Sequence, residues 1–468
     1  MILPINDSIK KYVKKNRVSF SMPGHKGNSV IDEKDFFKLD VTELDDTDNL
    51  FSPKSYIADS QKKLSSLYKT VSSHYLLGGS TSGVYAMISL AVHEGDKIIV
   101  DRFCHKSVIN AIILCGAVPV YVWPQYNYQF GVTGGILPVE IESVIESNPD
   151  AKAVVITSPT YYGTLSDISS VSNIVHRANM LLLVDEAHGA HFHINKNLPE
   201  SAVRCGADMV VQSVHKTLGA LSGGALLHIN TDKFPLWRIE EVLSMYHTSS
   251  PSYAVLSALE SAVFSALKFN KHYEKIISAI DKCRKDINSI GKAYWVGEEL
   301  IGGCAIYAMD KTRIVINFSK LAITGYGVAK ILRTKYNIEV EMADENNIVC
   351  IVTPYNKISH IKSLANAILE ITEKMSAFAE GKQIPEKISP QISMTPRKAH
   401  FSAFETIDMS DAVGRISHSV ICKYPPGIPL IVPGEEITSS HIREITDTIE
   451  MGGTVTGVQE NYRINVVR

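Results

Sequence analysis

The chain has 468 residues, of which 45% are hydrophobic and 21% are charged, and its formal net charge is -2. This is the composition of an ordinary globular protein with room for two or three domains. The near-neutral charge gives no overall basic field for nucleic acid, and no apolar run reaches the length needed to cross a bilayer.

The N-terminal segment and the cysteines indicate the cellular compartment of the protein. Residues 10–17 are basic but lack the apolar stretch and cleavage site of a signal peptide, so a solvated helix is predicted there. The seven cysteines are scattered, and no two form a CxxC motif. Reduced thiols fit this pattern better than a disulfide framework, and the sequence therefore predicts a cytoplasmic protein.

Residues 62–270 alternate short strand-like runs with helical segments. The strand-like runs are almost entirely apolar and rich in β-branched residues, which is typical of a parallel sheet covered by helices on both faces. The sequence therefore predicts an α/β fold with a mostly parallel sheet. The predicted strands are 97–100, 118–122, 153–156, 181–184 and 209–211, and the predicted helices are 82–93, 105–115, 137–147 and 168–178.

The pattern changes beyond this large domain. Residues 300–372 mix strands and helices, and residues 376–398 contain three prolines and are predicted to be a linker. The expected organisation is an N-terminal arm (1–60), a large domain (61–295), a small α+β domain (296–375), the linker (376–398) and a C-terminal domain (399–468).

Two predicted strands end at residues that could do chemistry. The run 181–184 leads to Asp185, and the run 209–211 leads to Lys216. The carboxyl ends of parallel strands meet at one edge of a sheet, where active sites form. A lysine with a lowered pKa can form a Schiff base, and a carboxylate can pair with a protonated ring nitrogen. Together they suggest pyridoxal phosphate, against the alternative that Lys216 is only a solvated charge.

Two further segments fit parts of that cofactor. Residues 77–83, Leu-Gly-Gly-Ser-Thr-Ser-Gly, open a predicted helix, and glycines, hydroxyls and a helix N-terminus suit a single phosphate. The alternative is a flexible loop with an ordinary N-cap, since neither the dinucleotide nor the P-loop pattern is present. His105 follows the strand 97–100, where an imidazole can stack on a flat ring or cap the next helix.

A cluster of possible metal ligands competes with this interpretation. Glu186, His188, His191 and His193 lie within eight residues. Their spacing lacks the HExxH pattern of a helix-borne zinc site. The sequence therefore favours a His188 that faces the cofactor and predicts no metal site, with a metal-dependent hydrolase as the alternative.

Several motifs, taken in chain order, resemble those of the fold-type-I pyridoxal-phosphate decarboxylases of ornithine, lysine and arginine, in their short bacterial form. The resemblance covers nearly the whole chain. Its motifs are residues 22–27, 101–107, 157–163, 185–191, 212–218, 414–417, 424–430 and 433–435.

The resemblance implies an aspartate-aminotransferase-like large domain and the decarboxylation of a basic amino acid, with arginine favoured over lysine or ornithine. It implies that Lys216 forms the Schiff base, Asp185 pairs with the pyridine nitrogen and His105 stacks on the ring. His215 or Lys216 would return a proton to the substrate carbon. Ser80, Thr81, His188 and Ser213 are also expected to bind the cofactor, and Ser249 to reach the cofactor of the other subunit of a homodimer.

Substrate recognition and turnover are less sharply implied. The candidates for the cationic substrate tail are Glu43, Asp45, Asp46, Asp48 and Glu435. Glu435 is favoured because its motif matches the family, and Asp46 is the second choice. Gly78, Val84 and Gly219 depart from the family pattern, which leaves open a cofactor-binding paralogue with weak activity. An aminotransferase or an aldolase is a further alternative, because the same aspartate and lysine serve those reactions.

Overall fold

The computed structural model describes residues 14–26, 28, 39–44, 46–376 and 391–468. A seven-stranded sheet lies at its centre, in the order β1-β7-β6-β5-β4-β2-β3. The strands are β1 (Ser72–Leu76), β2 (Lys97–Asp101), β3 (Val118–Val122), β4 (Ala153–Thr157), β5 (Leu181–Asp185), β6 (Met209–Gln212) and β7 (Ala225–Ile229).

The sheet is mostly parallel, as the sequence predicts. Strands β2 to β6 pair in parallel, and β7 runs antiparallel to both β6 and β1. The five predicted strands are present. The sequence analysis missed β1 and β7, because Ser72, Ser73 and His74 in β1 and His228 in β7 interrupt the apolar pattern.

Helices cover both faces of the sheet. In β5, Leu182 and Val184 pack into one apolar core while Leu181 and Leu183 pack into the other, since side chains alternate across a strand. The helices of this part are α1 (Tyr56–Tyr68), α2 (Gly79–Ala91), α3 (Lys106–Cys115), α4 (Pro138–Ser147), α5 (Ile168–Arg177), α6 (Val214–Thr217), α7 (Leu236–Tyr246), α8 (Tyr253–Ala266) and α9 (Asn270–Ile290).

A four-stranded antiparallel sheet follows, in the order β8-β9-β11-β10. The N-terminal arm lies against this part, because Val18–Ser19 pairs in parallel with Ile338–Glu339. The elements are β8 (Tyr294–Val296), β9 (Arg313–Asn317), α10 (Gly325–Lys335), β10 (Met342–Ala343), β11 (Asn347–Ile351) and α11 (Ile358–Lys374).

The last part of the chain has its own small core of buried isoleucines and valines. Most of the predicted linker (residues 377–390) and half of the basic segment 10–17 (residues 10–13) lie outside the described residues. Among the described helices, none has the length and apolar character to cross a membrane. The C-terminal elements are α12 (Pro396–His400), β12 (Phe404–Asp408), β13 (Ile421–Tyr424), β14 (Ile428–Ile431), α13 (Ser439–Glu450), β15 (Thr454–Thr456) and β16 (Arg463–Val467).

Candidate active site

A cavity of about 320 Å³ opens at the carboxyl ends of the parallel strands. Asp101, Thr157 and Asp185 reach it as the last residues of β2, β4 and β5. This is the edge at which open α/β sheets bind ligands. Eight of the site residues predicted from the sequence line this cavity: Ser80, Thr81, His105, Asp185, His188, Ser213, His215 and Lys216.

Lys216 and Asp185 line the same cavity, and each affects the pKa of the other. Lys216 lies on the one-turn helix α6, directly after β6, and Asp185 ends the neighbouring strand β5. Burial lowers the pKa of the Lys216 amine, although the charge of Asp185 opposes the change. Burial raises the pKa of Asp185, which Lys216 and the N–H of Ala187 counteract. A lysine in this environment can present a neutral amine.

The start of α2 brings glycines and hydroxyls to the wall of the cavity. Gly78, Gly79, Ser80 and Thr81 line the cavity there, where the first N–H groups of the helix have no intrahelical partner. Gly79 donates its N–H to the carbonyl of Gly223 at 2.8 Å. At Gly223, φ is +90° and a Cβ would lie 3.0 Å from the Leu77 carbonyl, so the close approach requires glycine.

The Ser213 hydroxyl is free to bind a phosphate oxygen. Its Oγ is buried, and no hydrogen-bond partner exists for it among the described residues. Buried hydroxyls are normally bonded, so this one is suited to a ligand oxygen. The Ser213 hydroxyl and the α2 N-terminus therefore suit the phosphate of pyridoxal phosphate, Lys216 suits its aldehyde, and the Asp185 carboxylate suits its ring N–H as an acceptor.

His105 caps a helix and also lines the cavity. It lines the cavity, and it caps α3 by accepting the Ser107 N–H at Nδ1. Burial, together with the charges of Lys216 and Lys106, lowers the pKa of His105 to about 4. The ring is therefore neutral near pH 7, as stacking on a flat cation-bearing ring favours. That it stacks on the cofactor stays a prediction.

Two of the possible metal ligands after β5, Glu186 and His191, have separate partners. Glu186 accepts hydrogen bonds from Ser201, Ala202 and Gln212, and His191 faces Thr312 and Asp310. Within the described residues, no group of three or more His, Cys, Asp or Glu side chains has the arrangement of a metal site.

His188 has a contact that the sequence analysis did not identify. Its Nε2 lies 3.2 Å from Lys216 Nζ, and its Nδ1 lies 2.9 Å from an Nη atom of Arg313. Arg313 is the first residue of β9 and lies 125 positions from His188 in the chain, and no local pattern marks it. Asp101 was also missed. Burial raises its pKa to about 7, and a charged residue at the end of an apolar strand was the available signal.

Glu435 is placed differently from its predicted role. Its carboxylate is buried and holds the Arg102 guanidinium in two hydrogen bonds of 3.1 and 2.9 Å, and it does not line the cavity. A carboxylate committed to a buried arginine is not free to accept a substrate tail in its own chain. We therefore correct the assignment of Glu435 to substrate binding.

Two other predicted residues lie outside the cavity. Asp46 and Ser249 are both exposed and are absent from its walls. Asp46 as a tail acceptor and Ser249 as a ligand of the neighbouring subunit's cofactor stay predictions. Of the unusual positions, Gly78 lines the cavity, whereas Val84 is fully buried in the apolar core and Gly219 does not line the cavity.

A wider chamber of about 910 Å³ adjoins the cavity. Phe103, Thr133, Tyr162, Pro426 and Ile428 line both spaces. The chamber is bounded by the large domain, by the loop around residue 344 and by the C-terminal part. Its walls carry the acidic residues Glu140, Asp344, Glu345, Glu444 and Asp447 and the basic residues Arg102, Lys423 and Arg443.

Comparisons with known proteins agree with this geometry. A family model described as Orn/Lys/Arg decarboxylase, major domain, matches residues 3–314, and the model of the C-terminal domain matches residues 380–453. The chain is 33% identical to the arginine decarboxylase of Bacillus subtilis, with 99% of this chain and 98% of that protein covered. It is 32% identical to the arginine decarboxylase of Halalkalibacterium halodurans, with 98% and 96% covered.

Solved structures show the same fold. The lysine decarboxylase of Francisella novicida superimposes with a TM-score of 0.79 at 18% identity, covering 93% of this chain and 75% of that one. Fold-type-I neighbours such as the serine palmitoyltransferase of Sphingomonas wittichii share the architecture at a TM-score of 0.59, 14% identity, and coverage of 77% and 89%. The chain belongs to the Orn/Lys/Arg decarboxylase family and is a pyridoxal-phosphate-dependent decarboxylase of basic amino acids.

Proposed function

We propose that this protein decarboxylates arginine and that Lys216 is the residue that carries the cofactor covalently. The observation behind the proposal is the shared cavity of Lys216 and Asp185, with the unpartnered Ser213 hydroxyl beside them. Arginine is favoured because the relatives named arginine decarboxylase are 31–33% identical, whereas those named lysine decarboxylase are 21–24% identical.

Different residues of the chain would hold different parts of the cofactor. The N-terminus of α2 and Ser213 hold the phosphate, and His105 packs on the ring. Asp185 holds the proton on the ring nitrogen, because a buried carboxylate opposite a cation is a charge-assisted acceptor. When bound, the cofactor supplies an electron sink for the bond that loses carbon dioxide.

His215 is the candidate for moving the proton that replaces the carboxylate. Its Nδ1 lies 3.0 Å from the Gly224 carbonyl, which can only accept, so Nδ1 carries the ring proton and Nε2 has the lone pair. Burial lowers the pKa of His215, so the ring starts neutral. Nε2 would take up a proton and deliver it to the substrate carbon.

The wider chamber is where we place the cationic tail of the substrate. It opens directly from the cavity through the shared residues Phe103 and Tyr162, and five carboxylates lie on its walls. Two of its three cations are already neutralised, since Arg102 pairs with Glu435 and Lys423 pairs with Glu444. A guanidinium entering this chamber therefore meets an excess of negative charge.

We also propose that the protein is a homodimer of the cytoplasm. Helix α7 exposes Leu236, Trp237 and Met245 just before the segment that holds Ser249, which supports an interface there. All seven cysteines are free thiols, which fits a reducing compartment. Light scattering on the purified chain tests the dimer, and Trp237→Glu should shift it towards monomer.

Incubation of the cofactor-loaded chain with arginine, lysine and ornithine in turn tests the reaction. We expect carbon dioxide and the matching amine from arginine first, and no keto acid. Lys216→Ala should abolish both products, whereas Lys152→Ala, at an exposed lysine, should retain them. Keto-acid formation would identify an aminotransferase, and carbon dioxide release by the Lys216→Ala variant would refute the role of Lys216.

A further inference from the structure

His188 bridges Lys216 and Arg313 at the wall of the cavity. Its Nε2 lies 3.2 Å from Lys216 Nζ, and its Nδ1 lies 2.9 Å from Nη2 of Arg313. His188 and Arg313 are 5% and 3% exposed. His188 lines the cavity, whereas Arg313 does not, so Arg313 lies behind the imidazole as seen from the substrate.

The direction of both hydrogen bonds follows from Arg313. A guanidinium has donors and no acceptor, so Nδ1 of His188 must accept. Burial, with the positive charges of Lys216 and Arg313, lowers the pKa of His188 well below its ordinary value, so the ring is neutral. A neutral ring that accepts at Nδ1 carries its proton on Nε2. Nε2–H therefore points at Lys216 Nζ.

Only one protonation state of Lys216 satisfies this arrangement. An ammonium has three donors and no lone pair, so it cannot accept the Nε2–H, and the two N–H donors would repel each other. A neutral amine accepts the Nε2–H. If Arg313 were absent, the ring could place its proton on Nδ1 instead, and Nε2 would then accept from a lysine ammonium.

The other charged groups around Lys216 shift its pKa in opposite directions. Asp185 and Glu341 favour the ammonium, and the charge of Arg313 disfavours it. His105 and His215 also face His188, and the Tyr161 ring packs edge-on against it with 4.7 Å between the ring centroids. The guanidinium has no hydrogen-bond partner at Nε or Nη1 among the described residues, so its contact with His188 is a principal use of the side chain.

We propose that Arg313 is a positioning residue that fixes the tautomer of His188 and thereby holds the free amine of Lys216 in its neutral, nucleophilic form. The inference rests on the proposed covalent role of Lys216. Capture of the cofactor aldehyde forms a C=N bond at Nζ, and the two amine hydrogens leave with the aldehyde oxygen as one water. An ammonium has no lone pair for this step, so Arg313 controls the pH at which it begins.

The test is the pH dependence of cofactor capture by the full-length chain stripped of cofactor. Pyridoxal phosphate is mixed with the wild type, Arg313→Met, His188→Phe and the double variant, and the rate is followed by absorbance from pH 6 to 10. In Arg313→Met the midpoint should rise by about one pH unit, which makes capture about tenfold slower below the midpoint. Arg177→Met, at an exposed arginine paired with Glu142, should leave it unchanged.

The double variant separates the tautomer from simple charge repulsion. With phenylalanine at position 188, Arg313→Met should shift the midpoint by less than half as much as it does with histidine. Equal shifts in the two backgrounds would show that only charge acts, and no shift in the wild-type background would equally overturn the proposal. If Arg313→Met does not fold, the same cycle is run with Arg313→Leu, which also removes the donor to His188.

A separate result distinguishes failure of the underlying function. Lys216→Ala should show no covalent capture at any pH. Capture with unchanged absorbance in that variant would refute the role of Lys216 itself. If Lys216 is required, but Arg313→Met shifts the midpoint of capture equally with histidine and with phenylalanine at position 188, only the role of Arg313 is refuted.

Discussion

Arg102 and Glu435 form a buried ion pair that ties the C-terminal part of the chain to the large domain. Arg102 directly follows β2, and its Nε and Nη2 bond the two oxygens of Glu435 at 3.1 and 2.9 Å. The guanidinium also donates to the carbonyls of Pro429 and Leu430 at 2.7 and 3.1 Å. Both side chains are almost fully buried, so neither charge has solvent as an alternative partner.

Glu435→Gln should therefore destabilise the protein strongly. The change leaves the Arg102 charge buried without its counter-ion, which typically lowers the free energy of unfolding by about 3–5 kcal/mol. Urea denaturation of the purified chain measures the effect. Glu405→Gln is the matched control, because Glu405 also pairs with an arginine but at the surface. Equally small effects of the two changes would show that the buried pair contributes little.

Asp185→Asn should retain the shape of the cavity but remove the charge that stabilises a protonated ring nitrogen. We expect turnover to fall by about two to three orders of magnitude, the usual loss when one preorganised electrostatic partner is removed. Asp101→Asn is the comparison. The pKa of Asp101 is raised to about 7 by burial, so at pH 6 this carboxyl is largely neutral already. Equal losses at pH 6 would contradict the distinction between the two aspartates.

Ser213→Ala should weaken cofactor binding by about ten- to a hundredfold, because a hydroxyl bonded to a phosphate contributes about 1.5–3 kcal/mol. Fluorescence titration with pyridoxal phosphate gives the dissociation constant. Thr217→Val is a stringent control, since the Thr217 hydroxyl is likewise buried and unpartnered among the described residues but does not line the cavity. An affinity unchanged by Ser213→Ala would place the phosphate elsewhere.

Asp48→Asn should destabilise the fold at neutral pH but not in acid. The Asp48 carboxylate accepts the backbone N–H groups of Asn49, Lys54, Ser55 and Ile57, which lower its pKa to about 2 in spite of burial. A lowered folded-state pKa means that the stabilisation is complete above about pH 4 and is lost as the pH falls towards 2. Thermal unfolding of both proteins between pH 2 and 6 measures this. A constant difference across that range would contradict it.

The sequence predicts those parts of the site that local patterns encode. Lys216 and Asp185 each follow an apolar run, and that position already places them at the edge of a parallel sheet. The glycine and hydroxyl run 77–83 predicts a phosphate site at a helix start, and residues 78–81 of that run line the cavity. The strands β1 and β7 were missed, because their polar side chains find buried partners, as Ser73 and His228 do with each other at 2.8 Å.

Contacts between distant segments are the part that the sequence does not reveal. Arg313 reaches His188 across 125 positions, and a lone arginine at a strand start has no local signature. Glu435 was assigned to substrate because its motif matches the family. A sequence does not tell which cation a carboxylate faces, and Arg102 is 333 positions away.

The hydrogen bond from Gly79 to Gly223 has a consequence for how the protein acquires its cofactor. It joins the segment after β1 to the segment before β7, and these strands are neighbours in the sheet but far apart in the chain. Closing so long a loop is entropically unfavourable and therefore slow. During refolding, affinity for pyridoxal phosphate should consequently emerge after the central strands have assembled, which makes cofactor uptake a reporter of the final step of sheet closure.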